Sequence, residues 1–242
     1  MKEPAGTAVL AAIALGVVLG CGSGSGSAYE AKPIKKPPPA AVKPGEEASL
    51  FPLKVGNQWT YVAETQTTTS GVGSTVTDEL TLRVAKVEPF GGGSQATIEV
   101  VSGKGRPTTY QIWRADKAGI YQVRSDSKSE PFVPPQPAIK FPATAGSKFE
   151  WTGTGPTATA EKLSTTVKST ILAPQEIDTM SERVSAIPVE MTSRYTGKNG
   201  ETLIASVTYW VPNIGLARMR QEIRFGNTAV VQVLRLKANV VK

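Results

Sequence analysis

From Leu50 onward, apolar residues recur at every second position, the period of strands with one buried face. Leu80, Leu82 and Val84 alternate with Thr81 and Arg83; Ala96, Ile98 and Val100 alternate with Thr97 and Glu99. Turn residues punctuate these runs. Segments 187–196 and 201–211 flank Gly197-Lys198-Asn199-Gly200, and Asn-Gly tolerates the positive φ of a tight hairpin. A last hairpin is predicted at Gly226-Asn227, between 216–225 and 229–238, and another at Asp116-Lys117-Ala118, between 108–114 and 119–124. On strand 201–211, Leu203, Ala205, Val207, Tyr209 and Val211 share one face. Long amphipathic helical periodicity is missing, and only Ile177, Met180 and Val184, after Pro174, suggest a short helix. The pattern predicts an all-β chain, an antiparallel curved sheet or half-barrel with little helix.

Two stretches echo one another. Phe51-Pro52-Leu53-Lys54-Val55-Gly56-Asn57-Gln58-Trp59-Thr60-Tyr61 and Phe141-Pro142-Ala143-Thr144-Ala145-Gly146-Ser147-Lys148-Phe149-Glu150-Trp151 share the frame F-P-x-x-x-G-x-x-aromatic-x-aromatic. Later in each half an aromatic strand end precedes a glycine restart: Tyr110 to Trp113 then Gly119, and Tyr209-Trp210 then Gly215. The repeated order predicts two similar meanders, about 49–135 and 136–242, within one domain. In each frame the two aromatics lie at i and i+2 on one sheet face. Trp59, Tyr61, Phe149 and Trp151, with Tyr209, are therefore candidates either to fill the core or to line a ligand pocket.

The N-terminal region reads differently. Lys2 provides a minimal positive start, offset by Glu3, and an apolar run from Thr7 to Leu19 is too short to span a bilayer comfortably. It ends in Val18-Leu19-Gly20-Cys21, which resembles the lipobox of bacterial lipoproteins. That resemblance implies removal of residues 1–20, lipidation of Cys21 and export to the cell envelope. The outer membrane is favoured over the inner if the organism has two, because Gly22 rather than aspartate follows the anchor. An ordinary signal peptide cut near Gly20 would instead leave a lone thiol with no partner. Residues 21–48 read as a linker. Glycine and serine alternate over 22–27, and the Lys/Pro-rich stretch from Lys32 to Pro44 favours polyproline II, a spacer of roughly 40 Å at roughly 3.1 Å per residue.

The Phe51–Tyr61 frame, with Val207-Thr208-Tyr209-Trp210-Val211-Pro212-Asn213-Ile214-Gly215-Leu216-Ala217-Arg218 near the end, resembles an uncharacterised family of exported bacterial lipoproteins. More loosely, the pattern is similar to lipoprotein-carrier (LolA/LolB-like) half-barrels, which implies a curved sheet that cups acyl chains. Neither resemblance supplies catalytic residues.

The chemistry-bearing residues are sparse. The chain has no histidine, which removes the commonest general base and most zinc sites, and its single cysteine is assigned to the anchor. Ser125-Asp126-Ser127-Lys128 matches S-x-x-K but lacks the companion motifs of that enzyme class. No cofactor, metal or catalytic activity is expected. Arg218, Arg220 and Arg224 alternate along one strand face, with Glu222 among them, as a candidate anion-binding row or a solvated face. The net charge of +7 suits an anionic envelope surface or plain solubility, and an exported chain without a recognition motif is not expected to bind nucleic acid. The expected function is a non-catalytic binding module for a hydrophobic or amphiphilic ligand. The alternative is a structural or assembly lipoprotein that docks on another envelope protein.

Overall fold

The computed structural model describes residues 42–43, 45–103, 109–155, 163–197 and 200–242; the leader, Cys21 and the tether up to residue 41 lie outside the described residues. A single turn of helix, α1 (Glu47–Leu50), precedes six strands: β1 (Gln58–Thr69), β2 (Val72–Phe90), β3 (Gly93–Ser102), β4 (Thr109–Asp116), β5 (Gly119–Arg124) and β6 (Gln136–Lys140). Seven more follow: β7 (Lys148–Gly155), β8 (Leu163–Ile171), β9 (Gln175–Asp178), β10 (Arg183–Gly197), β11 (Gly200–Val211), β12 (Gly215–Phe225) and β13 (Thr228–Val240).

All pairings are antiparallel, and the ladder runs β6-β5-β4-β3-β2-β1-β13-β12-β11-β10-β8-β7, with β9 beside β10. Each half of the chain is thus a meander, and the two join where β1 pairs with β13 from Gln58↔Val240 to Thr69↔Thr228. The sheet then curls until its free edges almost meet. Between β6 and β7 the closure is a single bridge: Val133 and Thr154 exchange backbone hydrogen bonds of 2.9 Å, and Trp151 Nε1 donates to Pro134 O at 3.2 Å. The result is a nearly closed barrel, more complete than a half-barrel.

The echo in the sequence is an echo in geometry. Gly56 and Gly146 adopt φ of +86° and +84°, which only glycine takes readily. Gly56 N–H donates to Val84 O, and Gly146 N–H to Ile171 O. Lys54 and Thr144 N–H reach back to Pro52 and Pro142 O, and Asn57 and Ser147 N–H to Lys54 and Thr144 O. Val84 N–H and Ile171 N–H close each frame on Asn57 and Ser147 O. Both F-P-x-x-x-G segments therefore deliver their aromatics onto a strand by one device.

Two local expectations change. The spacing of Ile177, Met180 and Val184 belongs to a small hairpin rather than a helix, because Ile177 and Val184 face each other across β9 and β10. The only helix among the described residues is α1, which stops where Pro52 restricts Phe51 to extended backbone. Packing also begins within the segment read as linker: Val42 is 3% exposed and its carbonyl accepts from Ala143 N–H.

The narrow seam rests on the absence of one side chain. A Cβ on Gly153 would lie 2.6 Å from Val133 O and 2.4 Å from Trp151 Cζ2. Gly153→Ala is expected to cost about 1–3 kcal/mol by overpacking. Amide exchange should quicken at Val133 and Thr154 while the β1–β13 pairing stays protected; unchanged exchange there would contradict this account of the closure.

Candidate functional site

The five candidate aromatics separate in space. Trp59 and Tyr61 are each 1% exposed and lie on the inner face of β1. Trp59 Nε1 donates to Ile214 O, and Tyr61 Oη donates to Leu216 O at 2.6 Å. Trp59 packs on Phe51 (centroids 5.7 Å apart), and Phe51 meets Trp113 and Trp210 edge to face at 5.4 and 5.5 Å. Trp151 packs edge to face on Phe132 at 6.0 Å. Phe149 is half-buried at the barrel wall, with Lys140 Nζ 5.8 Å from its ring centre. Every ring on the inner side has aromatic or carbonyl partners, so this set is the packed centre where the two meanders meet. Burial in it pushes the Tyr61 hydroxyl far above the ordinary tyrosine range.

Tyr209 lies elsewhere. On β11 the buried inner row is Ile204, Ser206, Thr208 and Trp210, whereas Leu203, Ala205, Val207 and Tyr209 face outward. Register places this outer row beside the candidate arginines: Tyr209 opposite Arg218, Val207 opposite Arg220, Ala205 opposite Glu222 and Leu203 opposite Arg224. The Arg218 guanidinium stacks 5.7 Å from the Tyr209 ring centre, and its Nε is buried without a hydrogen-bond partner. Glu222 pairs with Arg224 (Nε to Oε1 2.6 Å) and, more distantly, with Arg220 (3.8 Å).

On the other flank, β10 sets Pro188, Glu190, Thr192 and Arg194 opposite the same row, and β8 sets Lys168 opposite Thr192. Arg194 pairs with Glu201 at 2.7 Å. Two adjoining hollows of about 300 and 430 Å³ share Leu203, Thr192 and Ser193 and extend to Arg224 on one side and to Lys168 and Arg194 on the other. The arrangement is an open trough whose floor includes Leu203, 40% exposed, between banks of cations. Lys168, Arg194, Arg218, Arg220 and Arg224 outnumber Glu190, Glu201 and Glu222 on this face. Such a surface can hold an apolar chain along the stripe and an anion at a guanidinium fork.

Sequence reasoning did not single out Lys168 or Arg194, and it placed Leu203 on a strand face without assigning it to a site. The signal was present in the alternation of 163–171 and 187–196, which sets Lys168 and Arg194 opposite to Val167 and Tyr195. The S-x-x-K segment is a turn: Ser125 Oγ lies 3.1 Å from Ser129 Oγ, Asp126 Oδ1 accepts from the backbone N–H of Lys128 and Ser129, and Lys128 is exposed. Among the described residues no group of acidic residues is arranged to hold a metal ion, and no helix is long and apolar enough to cross a membrane.

No family model matches this chain, and neither does any curated protein. Among solved structures it is similar to a protein from Bacteroides fragilis described as exported and as having a YmcC-like fold, at 13% identity and a TM-score of 0.47 over 78% of this chain and 99% of that one. It is also similar to a protein from Parabacteroides distasonis described as a lipoprotein, at 16% identity and a TM-score of 0.46 over 77% of this chain and 97% of the other. At these values neither likeness says what this chain binds.

Proposed function

We propose that this chain is a lipid-anchored, non-catalytic protein of the bacterial envelope that binds an anionic amphiphile in its outer trough. The anchor rests on the lipobox resemblance at Val18-Leu19-Gly20-Cys21. The observation that carries the binding reading is the juxtaposition on β11 and β12, an apolar row from Leu203 to Tyr209 held in register beside Arg218, Arg220 and Arg224. Trp59, Tyr61 and Trp151 are engaged with neighbouring rings or carbonyls, which favours the outer surface for binding. Tyr209 and the arginines, two separate candidates in the sequence, belong to this one surface. An acyl chain would lie along Leu203, Ala205 and Val207, and its acidic headgroup would replace Glu222 at Arg224.

The probe is dodecyl phosphate below its micelle concentration, titrated by calorimetry with dodecyl phosphocholine as the zwitterionic control. Leu203→Asp and Arg224→Glu should each weaken dodecyl phosphate binding at least tenfold without altering thermal stability. Equal affinity for the two detergents, or indifference to both substitutions, would sink the reading.

A further inference from the structure

Six strands carry the inner face of the second meander and β1 in unbroken register. One inner row is Ala63, Leu234, Met219, Thr208, Val189 and Ile171; it is apolar except at Thr208, whose hydroxyl accepts from Trp210 Nε1 at 3.0 Å. Four residues further along the strands the inner row is again largely apolar, with Val230, Ile223, Ile204 and Val167. The row between them is Thr65, Gln232, Gln221, Ser206, Met191 and Ser169. Five of these six side chains are polar, and none of the six is more than 7% exposed.

Register partners on one face bring their Cβ atoms to about 4.5–5.5 Å, so these side chains form a polar belt interrupted at Met191. It lies between the main core and a second apolar cluster built on Tyr195, Ile204 and Ile223. Thr65 Oγ1 and Ser169 Oγ, at its two ends, have no hydrogen-bond partner in the protein. The Tyr195 hydroxyl, beyond Ser193 and Val167, is engaged instead with the side chains of Ser193 and Thr165. Asp78, near Thr65, is committed to the Glu79 N–H and the Ser102 hydroxyl. Native interiors satisfy buried hydroxyls, and where protein groups do not, ordered water does.

We infer that the barrel interior holds ordered water bound to the Thr65 and Ser169 hydroxyls at the two ends of the belt, which closes this level of the barrel to acyl chains. The site is distinct from the outer trough and independent of what binds there.

Oxygen-17 relaxation dispersion counts long-lived internal water in the full chain, and water-to-protein NOEs locate it. The wild-type protein should show such water with NOEs to the amides of Thr65 and Ser169. Thr65→Val and Ser169→Ala should each lose at least one long-lived water and lower Tm by about 2–4 °C. A wild-type protein without long-lived water at these amides overturns the inference, whether or not the variants fold. An unchanged water count in folded variants, or a higher Tm for both, overturns it equally, since removal of a dry, unpaired hydroxyl stabilises.

Discussion

Trp210→Ala is expected to lower folding stability by about 3–5 kcal/mol, the range for truncation of a large aromatic in a packed core. Trp210 is 1% exposed and meets rings from both other parts of the centre: Phe51 at 5.5 Å and Trp113 at 6.4 Å. Trp113 belongs to the first meander, Trp210 to the second and Phe51 to the segment that leads into β1. The cavity left by the indole cannot collapse, because three separately anchored elements surround it. The indole N–H also donates to Thr208 Oγ1, so the variant leaves that buried hydroxyl with only its 3.4 Å bond to Val189 O. Tyr209→Ala, one residue away, half-buried and packed only on the margin of the core, should cost less, about 1–2 kcal/mol. Guanidinium unfolding followed by far-ultraviolet circular dichroism gives both values. Equal losses for the two variants would mean that the inside and outside of β11 are wrongly assigned.

Alkaline unfolding is the second large effect. Tyr195 is held protonated up to about 12, against an ordinary 10.0, and Tyr61 is raised further in the same direction; burial is the main cause in each. The folded protein therefore keeps protons that the unfolded chain releases. Stability is fully present below about pH 10 and falls as pH rises from there towards 12. Two units at Tyr195 correspond to about 3 kcal/mol by pH 12, with a further loss from Tyr61. Urea unfolding between pH 8 and 11 should show the onset. Tyr195→Phe should flatten the decline, and a decline as steep as that of the wild type would remove Tyr195 as its source. Tyr61→Phe should flatten it too, from a starting point about 1 kcal/mol lower because the bond to Leu216 O is gone.

Much of the fold was legible in the chain. Alternation located the strands, Gly226-Asn227 and Asp116-Lys117-Ala118 marked hairpins, and the repeated F-P-x-x-x-G frame announced two meanders with the same lead-in hydrogen bonds. What could not be read was which side of β11 is inside. Leu203, Ala205, Val207 and Tyr209 form its more apolar row, yet the barrel buries Ile204, Ser206, Thr208 and Trp210. The usual code inverts here because the polar belt crosses β11 at Ser206, where its cross-strand partners are Gln221 and Met191. The trough was hidden for another reason: its cations come from three strands, β8, β10 and β12, whose lateral order alternation does not encode. The hairpin of Ile177 and Val184 mimicked helical spacing because a tight turn also brings residues seven apart together.

The pairing of β1 with β13 sets a timetable for the molecule. Tyr61 meets Leu236 across this junction, and Lys242 N–H donates to Asn57 Oδ1 at 3.0 Å. A nascent chain that has not yet delivered its final strand leaves β1 and β12 as bare edges and the aromatic centre without one of its walls. Contacts of such long sequence separation form late and slowly. If the chain is threaded through a membrane from its N-terminus, the barrel cannot close on the entry side while its first strands are already outside. Folding then becomes the last act of translocation, and until that moment the chain remains extended enough to be transported.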